Sequence, residues 1–316
     1  MIMKRFTLIL LLLQLCAALN AQTLTGTYMV AERDTCNLYI DYYAPVQEAS
    51  VLPDGNQKPT VLFVFGGGFV TGHRNDPYLL PWFKILTDEG YGVVSVDYRL
   101  GLKGIPMRFD LFHLVQSAKY TKRAVDMGVE DVFAAIRFIA DNSAEMGVDP
   151  NNLVISGSSA GAMISLSCAL EVCSPTERTA ILPDGFNFKG VMSFAGAVMS
   201  DSGVPSYKAE PAPHLLFHGT VDEAVAYNKL AFGRWGMYGS SSLVKEVFSK
   251  KGFVYNFYRY ENHTHDIAGS MVSTWPEQKR FLEENVIGGK RRVIDASLDD
   301  PAIPVWDNIT LNDIYK

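Results

Sequence analysis

Six short apolar runs recur along the chain: Thr60–Phe65, Gly92–Asp97, Leu153–Ser156, Lys189–Phe194, His214–His218 and Phe253–Tyr258, each bounded by Gly, Pro or Asn. Runs of this length, apolar at consecutive positions, predict strands buried on both faces, as in a parallel sheet. Between them, residues 77–89, 129–146, 160–172, 241–251 and 273–285 space their apolar side chains for helices, with Val129, Val132, Phe133, Ile136 and Ile139 on one stripe. Thr25–Arg33 and Asn37–Tyr43 alternate apolar and polar positions and predict an antiparallel start. The whole reads as an α/β fold, a mostly parallel central sheet of about eight strands with helices on both faces.

The ends of the chain depart from this alternation. A basic start at Lys4-Arg5, an unbroken apolar run from Phe6 to Leu13 and small residues before Gln22 predict a secretory signal peptide over 1–21. The run is far short of the ~20 residues that span a bilayer, so no transmembrane span is expected. Export to the periplasm or the medium follows, with a lipid anchor at Cys16 as the alternative; Gln14 and Leu15 are bulky for a lipid-attachment site. No linker or repeat divides the remainder, which predicts one domain over 22–288. Two segments are surplus: 101–128, a cap, a pocket insertion or a helical connector, and a tail over 289–316, whose Ile303, Val305, Trp306 and Ile314 would dock it on the domain.

Composition narrows the classes. An apolar fraction of 48% can bury enough surface to order the chain. The net charge is −6, and loss of Lys4 and Arg5 with the signal takes it to −8, so no basic field exists to recruit nucleic acid. Outside the signal, Cys36, Cys168 and Cys173 allow at most one bridge and read as packing residues, and no Cys/His spacing fits zinc.

The chemistry concentrates at Gly157-Ser158-Ser159-Ala160-Gly161, directly after a strand and before a helix. A nucleophile on so tight a turn sits in strained backbone, and only small residues two places away on either side avoid a clash. Ser159 meets that condition with Gly157 and Gly161; Ser158, flanked by Ser156 and Ala160, meets it less well. A serine hydroxyl needs a base to take its proton and an acid to orient the base. Asp222 follows the His214–His218 run and His265 follows the last one, which supplies an acid and a base in the order Ser, Asp, His. Glu223 and Asp266 are the neighbouring carboxylates, and His263 is the rival base. His218 reads as a packed core histidine; His73, His113 and His214 receive no role. Phe65-Gly66-Gly67-Gly68-Phe69 ends the first parallel strand, and Gly67, Gly68 and Ala160 are the expected oxyanion donors. The same loop lacks the Gly-Lys-Ser/Thr of a phosphate cradle, so no nucleotide or other cofactor is expected.

Taken with Asp97-Tyr98-Arg99-Leu100, Asp149-Pro150-Asn151-Asn152 and His218-Gly219-Thr220-Val221-Asp222, these motifs resemble the α/β-hydrolase esterases, nearest to the carboxylesterase and hormone-sensitive-lipase-like branch. The resemblance covers roughly residues 55–285 and implies a nucleophile at Ser159, an acid at Asp222 and a base at His265. It departs at Phe65, where the branch carries His, at Ser158, where it carries Asp, and in the missing Gly-His-Gly around the base. The implied activity is a serine carboxylic-ester hydrolase working through an acyl-enzyme on small or glycan-borne esters. A prolyl-peptidase-type enzyme and a non-catalytic hydrolase-like binding protein are the alternatives.

Overall fold

The computed structural model describes residues 24–110, 112–299, 305 and 309–315; the expected signal segment and Cys16 lie outside these. The strands, in chain order, are β1 (Gly26–Arg33), β2 (Cys36–Tyr43), β3 (Thr60–Val64), β4 (Val93–Val96), β5 (Leu153–Ser158), β6 (Gly190–Phe194), β7 (Ala197–Ser200), β8 (His214–Gly219), β9 (Lys229–Phe232), β10 (Trp235–Gly239), β11 (Tyr255–Tyr260) and β12 (Ile294–Leu298). Nine of them form one sheet in the order β1-β2-β4-β3-β5-β6-β8-β11-β12. The predicted antiparallel start is there, β1 against β2 and β2 against β4, and every later neighbour pairs in parallel. The strands from β3 to β8 are fully buried, which is why they carry no alternation in the sequence.

The sheet holds nine strands where about eight were expected. The addition is β12, where half-buried Ile294, Ala296 and Leu298 alternate with exposed Asp295 and Ser297. Asp295, at the head of an acidic stretch that runs on to Asp300, hid a half-buried strand. A second sheet, β7-β10-β9, was also not expected, because Gly233, Gly236 and Gly239 make residues 229–239 read as a loop. The cysteines also need correcting: Cys168 and Cys173 are buried, but Cys36 is exposed beside the β1–β2 turn and has no packing role.

The helices that matter for the site are α1 (Leu80–Asp88), α2 (Leu114–Asp141), α3 (Ala160–Cys173), α4 (Trp275–Phe281) and α5 (Leu311–Ile314). The sequence starts a helix at Val129, whereas α2 begins fifteen residues earlier, because Gly128 does not break it. A Cβ at Gly128 would lie 2.4 Å from Ile164 Cδ1, so the glycine marks the close crossing of α2 over α3. Much of segment 101–128 is thus the first half of a helix packed on α3, the helix that follows Ser159. Two polar contacts lock distant elements together. Asp131, fully buried, receives Arg33 Nε and Arg99 Nε, each at 2.9 Å, and the Arg99 N–H at 2.8 Å. The indole of Trp82 on α1 donates to Gln278 on α4 at 2.8 Å. Among the described residues no helix is long and apolar enough to cross a membrane.

Candidate active site

β5 ends at Ser158, and α3 begins at Ala160, so Ser159 alone makes the turn between them. Its backbone is at φ +51°, ψ −118°, outside the regions an L-residue ordinarily occupies. The steric condition read from the sequence is physical: a Cβ at Gly157 would lie 2.3 Å from Gly161 O, and one at Gly161 would lie 2.0 Å from Val64 O. No side chain of any kind fits at either position without moving the backbone of β3 or α3.

The loops at the carboxyl ends of β8 and β11 bring the other two residues to this point. Ser159 Oγ lies 2.7 Å from His265 Nε2, and His265 Nδ1 lies 2.8 Å from Asp222 Oδ2. With Nδ1–H donated to the carboxylate, Nε2 is left as the acceptor for the serine proton. Asp222 is fixed in turn: its Oδ1 accepts the N–H groups of Ala224 and Val225, each at 2.9 Å. Burial favours the neutral acid, yet the hydrogen bonds from His218 and His265 outweigh it and hold the Asp222 carboxyl well below the usual carboxylate range. It is therefore an anion throughout the working pH range, as an orienting group beside an imidazole must be.

The remaining sequence candidates fall elsewhere. Ser158 turns its Oγ to the carbonyl of Ala268 at 2.6 Å, tying the elbow to the short turn His265–Gly269. Glu223 is exposed. His263 pairs with Asp266 at 2.7 Å and lies edge-on to the Tyr260 ring. His218 is a packed histidine, as its position at a strand end implies, but it also touches the acid: Nε2 lies 3.1 Å from Val225 O and 3.3 Å from Asp222 Oδ2, while Nδ1 meets Ser240 Oγ at 2.9 Å. Two acceptors opposite Nε2 require a proton there, so the N–H that bonds Val225 O also faces the Asp222 carboxylate, a contact that the sequence reading did not include. The signal was present, since His218 and Asp222 sit four residues apart across a strand end.

The Phe65–Phe69 loop stands opposite the elbow. Gly67 and Gly68 take φ +127° and +62°, and the N–H groups of Gly67, Gly68 and Ala160 have no backbone acceptor among the described residues. The Asp97–Leu100 motif holds this loop. Tyr98 donates its hydroxyl to Phe65 O at 3.0 Å and stacks on the Phe65 ring at 4.5 Å, while Asp97 and Arg99 are anchored by Arg74 and Asp131. A cavity of 140 Å³ opens beside Ser159, lined by Phe69, Phe109, Met163, Met199 and Trp235 among others, with no charged side chain among the described residues of its wall. The β9–β10 hairpin and the start of α2 form its flanks, and the end of the described chain contributes Ile314 and Tyr315. No cluster of His, Cys, Asp and Glu among the described residues could hold a metal ion.

A sheet of this order, with Ser, Asp and His at the ends of β5, β8 and β11, defines an α/β-hydrolase. The chain belongs to the carboxylesterase family, whose profile matches residues 14–202. That match contains Ser159 and the glycine loop and stops short of Asp222 and His265. Among individual proteins, the chain is 29% identical over 163 residues to the fumonisin B1 esterase of Sphingopyxis macrogoltabida, covering 51% of this chain and 27% of that protein. It is 27% identical to the para-nitrobenzyl esterase of Bacillus subtilis (52% and 30% covered) and 31% identical to mouse neuroligin-2 (43% and 16% covered). The chain thus spans less than a third of the length of these relatives. In solved structures, the propionate-bound thermophilic esterase of Thermogutta terrifontis shares the fold at a TM-score of 0.58 and 18% identity, with 86% of this chain and 96% of that one covered.

Proposed function

We propose that this chain is an exported serine carboxylic-ester hydrolase, and the observation that carries the proposal is the unbroken relay from Ser159 through His265 to Asp222 beside an uncharged cavity. Ser159 Oγ attacks the ester carbonyl while His265 Nε2 takes its proton. The oxyanion is met by N–H groups of Gly67, Gly68 and Ala160, each such donor being commonly worth about 3 kcal/mol. His265 then returns the proton to the leaving alcohol, and a water activated by the same nitrogen releases the acid and restores Ser159. Asp222 keeps the imidazole in one tautomer throughout. The apolar wall suits the hydrocarbon part of the substrate, so a sugar or other polar alcohol would lie outside the cavity, which accommodates the deacylation of glycans as one form of the reaction. The Phe65–Phe69 and His218–Asp222 motifs support placement near the hormone-sensitive-lipase-like branch.

The test is hydrolysis of p-nitrophenyl butyrate and of a p-nitroanilide by the wild type and by Ser159→Ala, with intact-mass analysis after a fluorophosphonate probe. Ester cleavage and a single probe adduct on the wild type, both absent from Ser159→Ala, are expected. Faster cleavage of the anilide would favour the peptidase alternative, and no adduct at all would favour a binding protein.

A further inference from the structure

The cavity at Ser159 is completed by the far end of the described chain. α5 is a four-residue helix closed on itself: Thr310 and Asp313 form a reciprocal capping box at its start. Its polar residues, Asn312 and Asp313, are exposed, while Leu311 and Ile314, with Tyr315 just after, turn to the cavity. Ile314 reaches the catalytic loop itself. A methyl group built on Gly68 would lie 2.4 Å from Ile314 Cγ2 and 3.7 Å from the Tyr315 hydroxyl. The Tyr315 ring packs against Phe109 at 5.7 Å, and burial pushes its hydroxyl pKa up. Phe109 precedes α2, so one aromatic contact joins segment 101–128 to the C-terminal segment on the same side of the pocket.

We propose that Leu311–Tyr315 is a specificity wall, and that Ile314 and Tyr315 set the size of the acyl group admitted to Ser159. The inference rests on the ester-hydrolase reading above and adds the substrate class to it. A space of 140 Å³ is close to the roughly 150 Å³ of an apolar cavity that takes one benzene. The wall therefore selects uncharged acyl groups of up to about six carbons, or a single ring. Longer chains are stopped by Ile314 at the loop and by Tyr315 against Phe109. In mechanistic terms these are binding groups: they touch the acyl chain and leave the proton transfers to His265.

The experiment measures kcat/KM for p-nitrophenyl acetate, butyrate, hexanoate and decanoate in the full chain, as wild type and as Ile314→Ala, Tyr315→Ala and Ile314→Trp. Wild-type values should rise to hexanoate and fall at decanoate. Each methylene newly buried is worth roughly fourfold in specificity, so Ile314→Ala and Tyr315→Ala should raise the decanoate-to-butyrate ratio at least tenfold. Ile314→Trp should move the other way, lowering the hexanoate-to-acetate ratio by a similar factor. If the wild type is active and both ratios stay within twofold in all three variants, the wall is overturned while the hydrolase reading stands. A folded wild type that cleaves no ester overturns both.

Discussion

Two buried histidine–carboxylate pairs start from histidines two residues apart in one loop, and beyond the carboxylates the two rings meet different groups. His265–Asp222 and His263–Asp266 are matched in length, 2.8 and 2.7 Å, and both are almost fully withdrawn from solvent. The second pair is local, three residues apart, and closes the turn after β11. The first joins residues 43 positions apart, which only the side-by-side placement of β8 and β11 can bring together. Asp222 is then held by two backbone N–H groups and His218, so the only freedom left to His265 points its Nε2 at Ser159. The contrast teaches that a short His–Asp distance is not a catalytic signature. What matters is what the far nitrogen meets.

Substitutions in the two pairs test this contrast. The largest effect is expected at Ser159→Ala and His265→Ala, each lowering kcat by about 10⁴–10⁶-fold in ester hydrolysis with little change in thermal stability. Asp222→Asn should follow at about 10⁴-fold, since the amide favours the wrong tautomer of His265. His218→Leu removes one donor from the acid and should lower kcat about 10–100-fold, with KM unchanged. In the other pair, His263→Asn and Asp266→Asn should cost about 1–3 kcal/mol in denaturant unfolding and less than tenfold in kcat. A loss at His263 equal to that at His265 would erase the distinction. His214 provides a histidine without any carboxylate: its Nδ1 meets Ala212 O at 2.8 Å, and burial lowers its pKa from 6.5 to about 4. The folded chain then binds fewer protons than the unfolded chain between these values. Stability should therefore fall by about 3 kcal/mol as pH drops from 6.5 to 4. His214→Phe should flatten that slope in unfolding measured across the same range.

The parallel strands were legible because burial on both faces writes itself as consecutive apolar residues, and the elbow because Gly157 and Gly161 have no alternative. The partners of Asp222 were less so. That His218 would touch it depends on the turn Gly219–Asp222, where a hydrogen bond as long as 3.4 Å closes the chain. The sequence reading placed the base at His265 with His263 as its rival; each has a carboxylate within reach, and only the sheet decides which one faces the serine. The small sheet β7-β10-β9 and strand β12 escaped for different reasons, glycines in the one and an acidic stretch beginning at Asp295 in the other. Both lie near Ser159 and His265: β9 and β10 line the cavity, and β12 flanks β11, the strand before His265.

Strand β12 also bears on behaviour in concentrated solution. It is one rim of a nine-stranded sheet, and an open rim of flat apolar backbone is a template on which another copy can add a strand. Here the rim carries Asp295, ion-paired with Arg259, and Ser297, bonded to Glu261. At the opposite rim, β1 slips register between Met29 and Ala31, which twists its edge away from a flat approach. Among the described residues, both margins of the large sheet thus carry features that disfavour the addition of a strand from another copy.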